Sequence, residues 1–296
     1  MGNPLVAILI ATKNGSKHLF EQLTSIQNQV DVTPTIYISD DASSDETLKV
    51  VDEFGILQSN INNGTHGSAA KNFFQMIINH EVSIDEKFVF LSDQDDIWLP
   101  KKCIRAIELM RRNGADAYSG SYFSMNKRKI RYVNKARKIN GVDHIFGSPG
   151  PGFTFAFQRN SFLAMQNLLR AKREHLEGIR WHDYAIYFIA IENGFKWVID
   201  DEPMALYRLH GANDTGQAID VKGIIFRLRF LFSGRYRQQL RCLTNFAVLP
   251  STKKTLMFVD NFNLMSRFHL LGVVTASRKT LRDRIMILLW ILFSKR

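Results

Sequence analysis

With 296 residues, 45% of them hydrophobic and 23% charged, the chain has the apolar content to bury a full core, which argues against wholesale disorder. Its two cysteines, Cys103 and Cys242, are too few for a disulfide framework and lack metal-ligand spacing, a pattern that suits a reduced cytosolic setting. The net charge of +11 is uneven: residues 222–296 hold 15 of the 39 Lys and Arg but only two of the 28 acids, Asp260 and Asp283, whereas residues 1–221 hold 24 basic against 26 acidic side chains.

The apolar run at 5–11 predicts a buried first strand, since no basic stretch precedes it as a signal peptide would require. Val6 stands where a myristoylation signal needs Ser or Thr, so Gly2 is not read as a lipid site. Leu19, Leu23 and Ile26 then recur at helical spacing. A second strand is expected at 35–40, followed by a helix with Ser43 as N-cap and Glu46 closing a capping box. A third short strand is expected at 56–60, a helix from Ser68 to Ile78, and a fourth strand at 88–93. Pro100 is placed to open a helix bearing Ile104, Ile107 and Met110.

From 115 to 160 the pattern turns to short strands and the loop GSPGPG at 147–152. A helix over 181–193 and strands at 195–200 and 205–210 complete it. This alternation predicts an α/β fold with a mostly parallel sheet flanked by helices. In such sheets ligands lie beyond the carboxyl ends of the strands, here the loops 12–14, 40–45, 60–67 and 93–96. The polar stretch GANDTGQ and the change of charge mark a boundary near 212–222, giving a catalytic unit over 1–215 and a basic, mainly helical extension over 216–296.

The most specific local signal is Asp93-Gln94-Asp95-Asp96. Three carboxylates in four residues at a strand end repel one another unless a cation screens them. Such hard oxygen donors suit Mg²⁺ or Mn²⁺, which also bridges phosphates. The alternative is a solvated acidic turn that caps the following helix.

ATKNG at 11–15, SDDASSDET at 39–47, SDQDDIWLP at 92–100, WHDYA at 181–185 and YRLHGAN at 207–213 together resemble the family 2 glycosyltransferases, and within them the bacterial rhamnosyltransferases of surface polysaccharide synthesis. The resemblance covers residues 5 to about 215. It implies a GT-A fold, a nucleotide-diphosphate sugar donor, a divalent metal (Mn²⁺ or Mg²⁺) and an inverting reaction. It places Asp41 at the pyrimidine base, where a carboxylate can accept an N3–H, with Thr12 and Asn14 lining the same pocket. The alternative for Asp41 is an Asx turn. Lys71 falls where relatives carry Arg and could meet a phosphate or lie on a helix surface.

By the same resemblance Asp95 is the direct metal ligand, Asp93 touches metal or ribose, and Asp96 supports them from behind. Asp183 matches the general base that takes the proton from the attacking hydroxyl, or, more simply, an acid at a helix N-terminus. His210 lies where a His approaches the diphosphate or completes the metal shell, and Arg208 is a second phosphate candidate. Gly152, Thr154, His182 and Asp96 belong to the surroundings of the donor and acceptor sugars. The two prolines and Phe153 of the loop depart from the family pattern there.

At the end of the chain 285–293 is an apolar run of nine residues flanked by Arg282, Arg284, Lys295 and Arg296. It is too short to span a bilayer, which takes roughly 18 or more apolar residues, but suits a helix lying in the membrane interface with Trp290 among acyl chains. A homodimer contact or packing on the catalytic unit are the alternatives. Nucleic acid is not expected, because the basic residues alternate with large aliphatics and no reading motif accompanies them. The expected enzyme is therefore cytoplasmic and peripheral on the inner membrane face. It transfers rhamnose from dTDP-rhamnose to a lipid-linked saccharide, the rivals being a UDP-hexose donor or a non-catalytic nucleotide-sugar-binding scaffold.

Overall fold

A computed structural model describes residues 2–57, 61–126, 129–136, 142–209, 225, 228–229, 231–261, 263–276 and 281–294. His210 and the 212–222 boundary lie outside the described residues. In chain order the first elements are β1 (Leu5–Thr12), α1 (Ser16–Gln27), β2 (Thr33–Asp40), α2 (Thr47–Glu53), β3 (Ile61–Asn63), α3 (Ala69–Asn79) and β4 (Glu86–Ser92). Then come β5 (Ile97–Trp98), α4 (Lys102–Asn113), β6 (Ala117–Gly120), β7 (Tyr122–Met125), β8 (Ile130–Val133), β9 (Ala156–Gln158) and α5 (Arg159–Ala171). α6 (His182–Glu192), β10 (Trp197–Asp200) and β11 (Ala205–Arg208) follow, and later in the chain α7 (Arg235–Thr244), α8 (Pro250–Asn261), α9 (Leu264–Ala276) and α10 (Leu281–Phe293).

The main sheet runs β10-β6-β9-β4-β1-β2-β3. Its strands are parallel except β9, which enters antiparallel to both β4 and β6. β1 is buried on both faces, as a central parallel strand requires: Ala7 and Leu9 face one core, Val6, Ile8 and Ile10 the other. The first core holds α3, α5 and α6; the second holds α1, α4 and Val51 of α2. A smaller sheet, β5-β11-β7-β8, lies beyond the strand ends. β11 pairs with both β5 and β7, which carries the segment after residue 205 back beside the acidic motif.

Several local expectations shift. A strand forms at Ile61–Asn63; of the expected 56–60, residues 56 and 57 are not in a strand and 58–60 lie outside the described residues. Helix α2 starts at Thr47, and Asp45, not Ser43, meets its first turn by accepting the Thr47 N–H at 3.0 Å. Ser68 does cap α3, accepting from the Lys71 N–H at 3.2 Å. The helix expected to open at Pro100 begins at Lys102.

The C-terminal helices share the first core. Leu240 and Leu243 of α7, Leu256 and Val259 of α8 and Trp290 of α10 are buried with α6. Trp290 is 1% exposed and packs edge-on to Tyr236 at 5.0 Å, so it points into the protein and not outward to lipid as the sequence suggested. Glu192, at the end of α6, accepts the backbone N–H groups of Val248 (2.6 Å) and Leu249 (2.8 Å) and lies 2.6 Å from His144. Among the described residues no helix is long and apolar enough to cross a membrane.

Candidate active site

The ends of β1 and β2 are in register at Thr12 and Asp40, and this juxtaposition builds the first wall of the site. Asp40 is fully buried and accepts hydrogen bonds from the Thr12 hydroxyl (2.7 Å), the Ser43 N–H (2.7 Å) and the Ser43 hydroxyl (2.6 Å). The Ser43 oxygen in turn accepts the Asn14 N–H at 2.7 Å, while the Asn14 side chain accepts the Ser44 N–H at 2.8 Å. Asn14 (φ 50°) and Ala42 (φ 54°) both take the left-handed conformation needed for these turns to interlock. Thr12 and Asn14 thus hold the loops after β1 and β2 together.

Because Asp40 makes the local turn, Asp41 is released from that role. Its carboxylate, 5% exposed, accepts the backbone N–H groups of His66 and of Gly67 (3.0 Å), tying the loop after β3 to the end of β2. Gly67 (φ 82°) adopts a conformation that favours glycine at this junction. Lys71 reaches Glu177 at 2.7 Å rather than into the pocket. That pair is solvated, so it is weak and readily exchanged.

The acidic motif follows β4. Asp93 and Asp95 are half-buried and Asp96 is buried. Burial pushes the Asp96 carboxyl well above the usual range and the negative charges of Asp95 and Asp93 add to it, opposed by the Arg208 N–H and the Lys102 ammonium. Lys102 is itself buried, its ammonium 3.5 Å from the centre of the Trp98 ring, and burial lowers its pKa to about 8. The three acids are therefore close enough to repel one another, the condition a divalent cation would relieve. Asp93 and Asp95 carry hard oxygen donors of the kind such a cation takes, although among the described residues no group of three His, Cys, Asp or Glu side chains is placed to hold one. Gln94 turns the other way, clamping the backbone of Lys13.

Asp183 lies in the first turn of α6. Burial raises its pKa to about 6, against hydrogen bonds from the Tyr184 N–H and the Ser148 hydroxyl and the nearby charge of Lys135. The Tyr184 N–H lies 2.8 Å from Asp183 Oδ1. A carboxylate so placed is ionised at neutral pH yet more basic than a free aspartate. Its neighbour His182 turns away, stacked on Phe73 at 3.9 Å, and burial lowers its pKa to about 3, so the ring is neutral. Gly152 is required by this ring: a Cβ there would lie 2.3 Å from His182 Nε2.

Thr154 spends its hydroxyl on the Pro151 carbonyl at 2.8 Å, closing the loop, and Phe153 stacks on Tyr207 at 5.6 Å. The departure at Phe153 thus anchors the loop to the smaller sheet. Arg208, the second phosphate candidate, pairs with Glu21 of α1. Sequence reasoning missed Gln94, Lys102, Lys135 and Ser148. Gln94 lay inside the motif and was passed over as a spacer, and the other three carry no signal in sequence.

A model of glycosyl transferase family 2 matches residues 7–175. The chain belongs to this family. It is 32% identical over 245 residues to the dTDP-rhamnosyl transferase RfbG of Shigella flexneri, covering 80% of this chain and 83% of the relative. Its fold is that of TarS from S. aureus in complex with UDP-GlcNAc (TM-score 0.53, 14% identity, 92% of this chain and 81% of that one). It is also that of the Pyrobaculum calidifontis mannosyltransferase PcManGT in complex with GDP-Man and Mn²⁺ (TM-score 0.57, 14% identity, 96% and 79%). This glycosyltransferase thus has the GT-A-like mixed α/β architecture with a helical C-terminal region.

Proposed function

We propose that this glycosyltransferase moves L-rhamnose from dTDP-rhamnose onto a saccharide acceptor, with inversion, in cell-surface polysaccharide synthesis. The observation that carries the donor assignment is the 32% identity to a dTDP-rhamnosyl transferase over 80% of the chain. Asp41 keeps acceptor capacity beyond its two backbone contacts, since an ionised carboxylate has about four lone-pair positions, and it would take the N3–H of the pyrimidine. Thr12, Asn14 and Gln94 hold the loops that frame the nucleotide. Lys71 would exchange Glu177 for a phosphate.

Asp183 is the general base. As the acceptor hydroxyl oxygen forms its bond to the anomeric carbon, its proton passes to the Asp183 carboxylate, and the bond from that carbon to the diphosphate oxygen breaks on the opposite face. Asp95 and Asp93, with His210 as the sequence resemblance implies, would hold a divalent cation, Mn²⁺ or Mg²⁺, which would supply charge to stabilise the leaving diphosphate. Asp96 and Lys102 support that pair from behind. Gly152, Thr154 and His182 shape the wall against which the sugars bind.

Residues 1–215 serve as the catalytic unit. Residues 216–296 attach it to the inner face of the cell membrane, where a lipid-linked acceptor is met. Calorimetric titration with dTDP and with UDP, each with and without Mn²⁺, tests the donor. Mn²⁺-dependent binding of dTDP over UDP is expected. A preference for UDP replaces the donor, and no binding of either nucleotide overturns the reading.

A further inference from the structure

The helices α9 and α10 are apolar on two opposite faces, and only one of those faces is covered. Inward, Leu270 and Val274 of α9 and Trp290 and Ile291 of α10 are at most 1% exposed and join the first core. Outward, Leu264, Met265 and Phe268 of α9 and Ile285, Leu292 and Phe293 of α10 are between 48% and 72% exposed. Both outer sets recur at helical spacing, so each makes a stripe. A helix that is apolar on every side is ordinarily buried on every side.

The two helices are locked together as a hairpin. The Arg267 guanidinium, from the first turn of α9, donates to the carbonyls of Ile291 and Leu292 (2.6 Å) and of Ser294 (2.8 Å) at the end of α10. This satisfies the carbonyls that a helix end leaves open and sets Phe268 and Phe293 at the same end of the pair. Each helix has 13 residues, roughly 20 Å at 1.5 Å per residue, against a hydrocarbon core of roughly 30 Å. A hairpin of that length lies along a bilayer surface and does not cross it.

We infer that the outer face of the α9–α10 hairpin docks in the plane of an anionic membrane, burying Phe268 and Phe293 among the acyl chains. Charge complementarity selects this occupant over a second copy of the chain. Residues 222–296 carry 15 basic side chains and two acids, and Lys253 and Lys254 of α8 are exposed beside the hairpin. Two copies would bring like charge together, whereas acidic headgroups neutralise it. Trp290, the residue the sequence offered for membrane insertion, serves instead to hold α10 to the protein, and the docking residues are those around it. The inference deepens the membrane reading given above and rests on it for the side of the membrane involved.

The test is flotation of the full-length chain with phosphatidylcholine vesicles, with and without phosphatidylglycerol. Wild type should float only with the anionic vesicles. Phe268→Ser combined with Phe293→Ser should lower the bound fraction more than about tenfold with Tm and nucleotide binding unchanged, since two large apolar side chains are lost from the buried face. Leu264→Gln with Met265→Gln gives the same answer from independent positions if the first pair fails to fold. Wild type that ignores anionic vesicles, or variants that float as well as wild type, overturn the inference. A wild-type dimer in light scattering that the variants convert to monomer, without vesicle binding, assigns the face to a second copy and also overturns it. Vesicle binding without nucleotide binding would leave the hairpin standing and remove the donor assignment alone.

Discussion

Gln94 grips the backbone of Lys13 from both sides, accepting its N–H at 2.8 Å and donating to its carbonyl at 2.9 Å. The residue between two acids thereby fastens the acidic motif to the β1–α1 turn, the two loops proposed above to frame the nucleotide. The fit is close, because a Cβ on Gly15 would lie 2.2 Å from Gln94 Oε1. Gln94→Ala should leave the fold intact, since the side chain is only half-buried, and weaken dTDP binding about tenfold, the equivalent of two hydrogen bonds of roughly 1 kcal/mol each less partial compensation by water. Calorimetric titration of the variant checks this; unchanged affinity would mean that the loops hold their places without the clamp.

The acid limb of the pH–rate profile should report Asp183. Its pKa is raised to about 6, so the fraction ionised, and with it turnover, should rise as pH increases through about 6 and level off above. The Ser148 hydroxyl and the Lys135 charge both lower that pKa, so Ser148→Ala and Lys135→Met should each move the limb to higher pH. Asp183→Asn should reduce transfer by about 10²-fold to 10⁴-fold with nucleotide affinity retained. A limb that stays in place in both neighbouring variants would remove Asp183 from the role of base.

The main sheet was legible because its strands are short apolar runs followed by polar turns, and the parallel register of β1, β2 and β4 sets Thr12, Asp41 and the acidic motif at one edge of that sheet. Three things were not legible. The antiparallel entry of β9 depends on the path of the 147–152 loop, which local propensity does not encode. The division of labour between Asp40 and Asp41 is decided by strand register, which puts Asp40 opposite Thr12. Trp290 reads as amphipathic from its neighbours in sequence, and only the position of Tyr236 on another helix shows that it is a core residue.

Asp95 and Asp93 should make nucleotide binding depend on a divalent ion. Chelation should weaken dTDP binding by about tenfold or more, and Asp95→Asn should lower affinity while removing most of the effect of added Mn²⁺, because Asp95 would supply a hard oxygen donor to the cation. Both are read in the same titration, with stability followed separately by thermal unfolding. If Asp95→Asn keeps the full response to Mn²⁺, the ion is held elsewhere.

Glu192 joins α6 to the segment that enters the C-terminal helices and should control their attachment. Burial alone would raise its pKa, but hydrogen bonds from His144, Thr252 and the Leu249 and Val248 N–H groups outweigh it and hold the carboxyl below its usual value. A carboxyl with a depressed folded pKa contributes stability that is present above the unfolded glutamate value, near 4.5, and is lost as pH falls through the lower folded value. Wild-type Tm should therefore drop on acidification below that range more steeply than that of Glu192→Gln. At neutral pH Glu192→Ala should cost about 3 kcal/mol, because it leaves two backbone N–H groups and the buried His144 without their partner. Glu192→Gln, which keeps an acceptor oxygen, should cost less. If both variants unfold like wild type at neutral pH, the C-terminal helices are held by their apolar contacts alone.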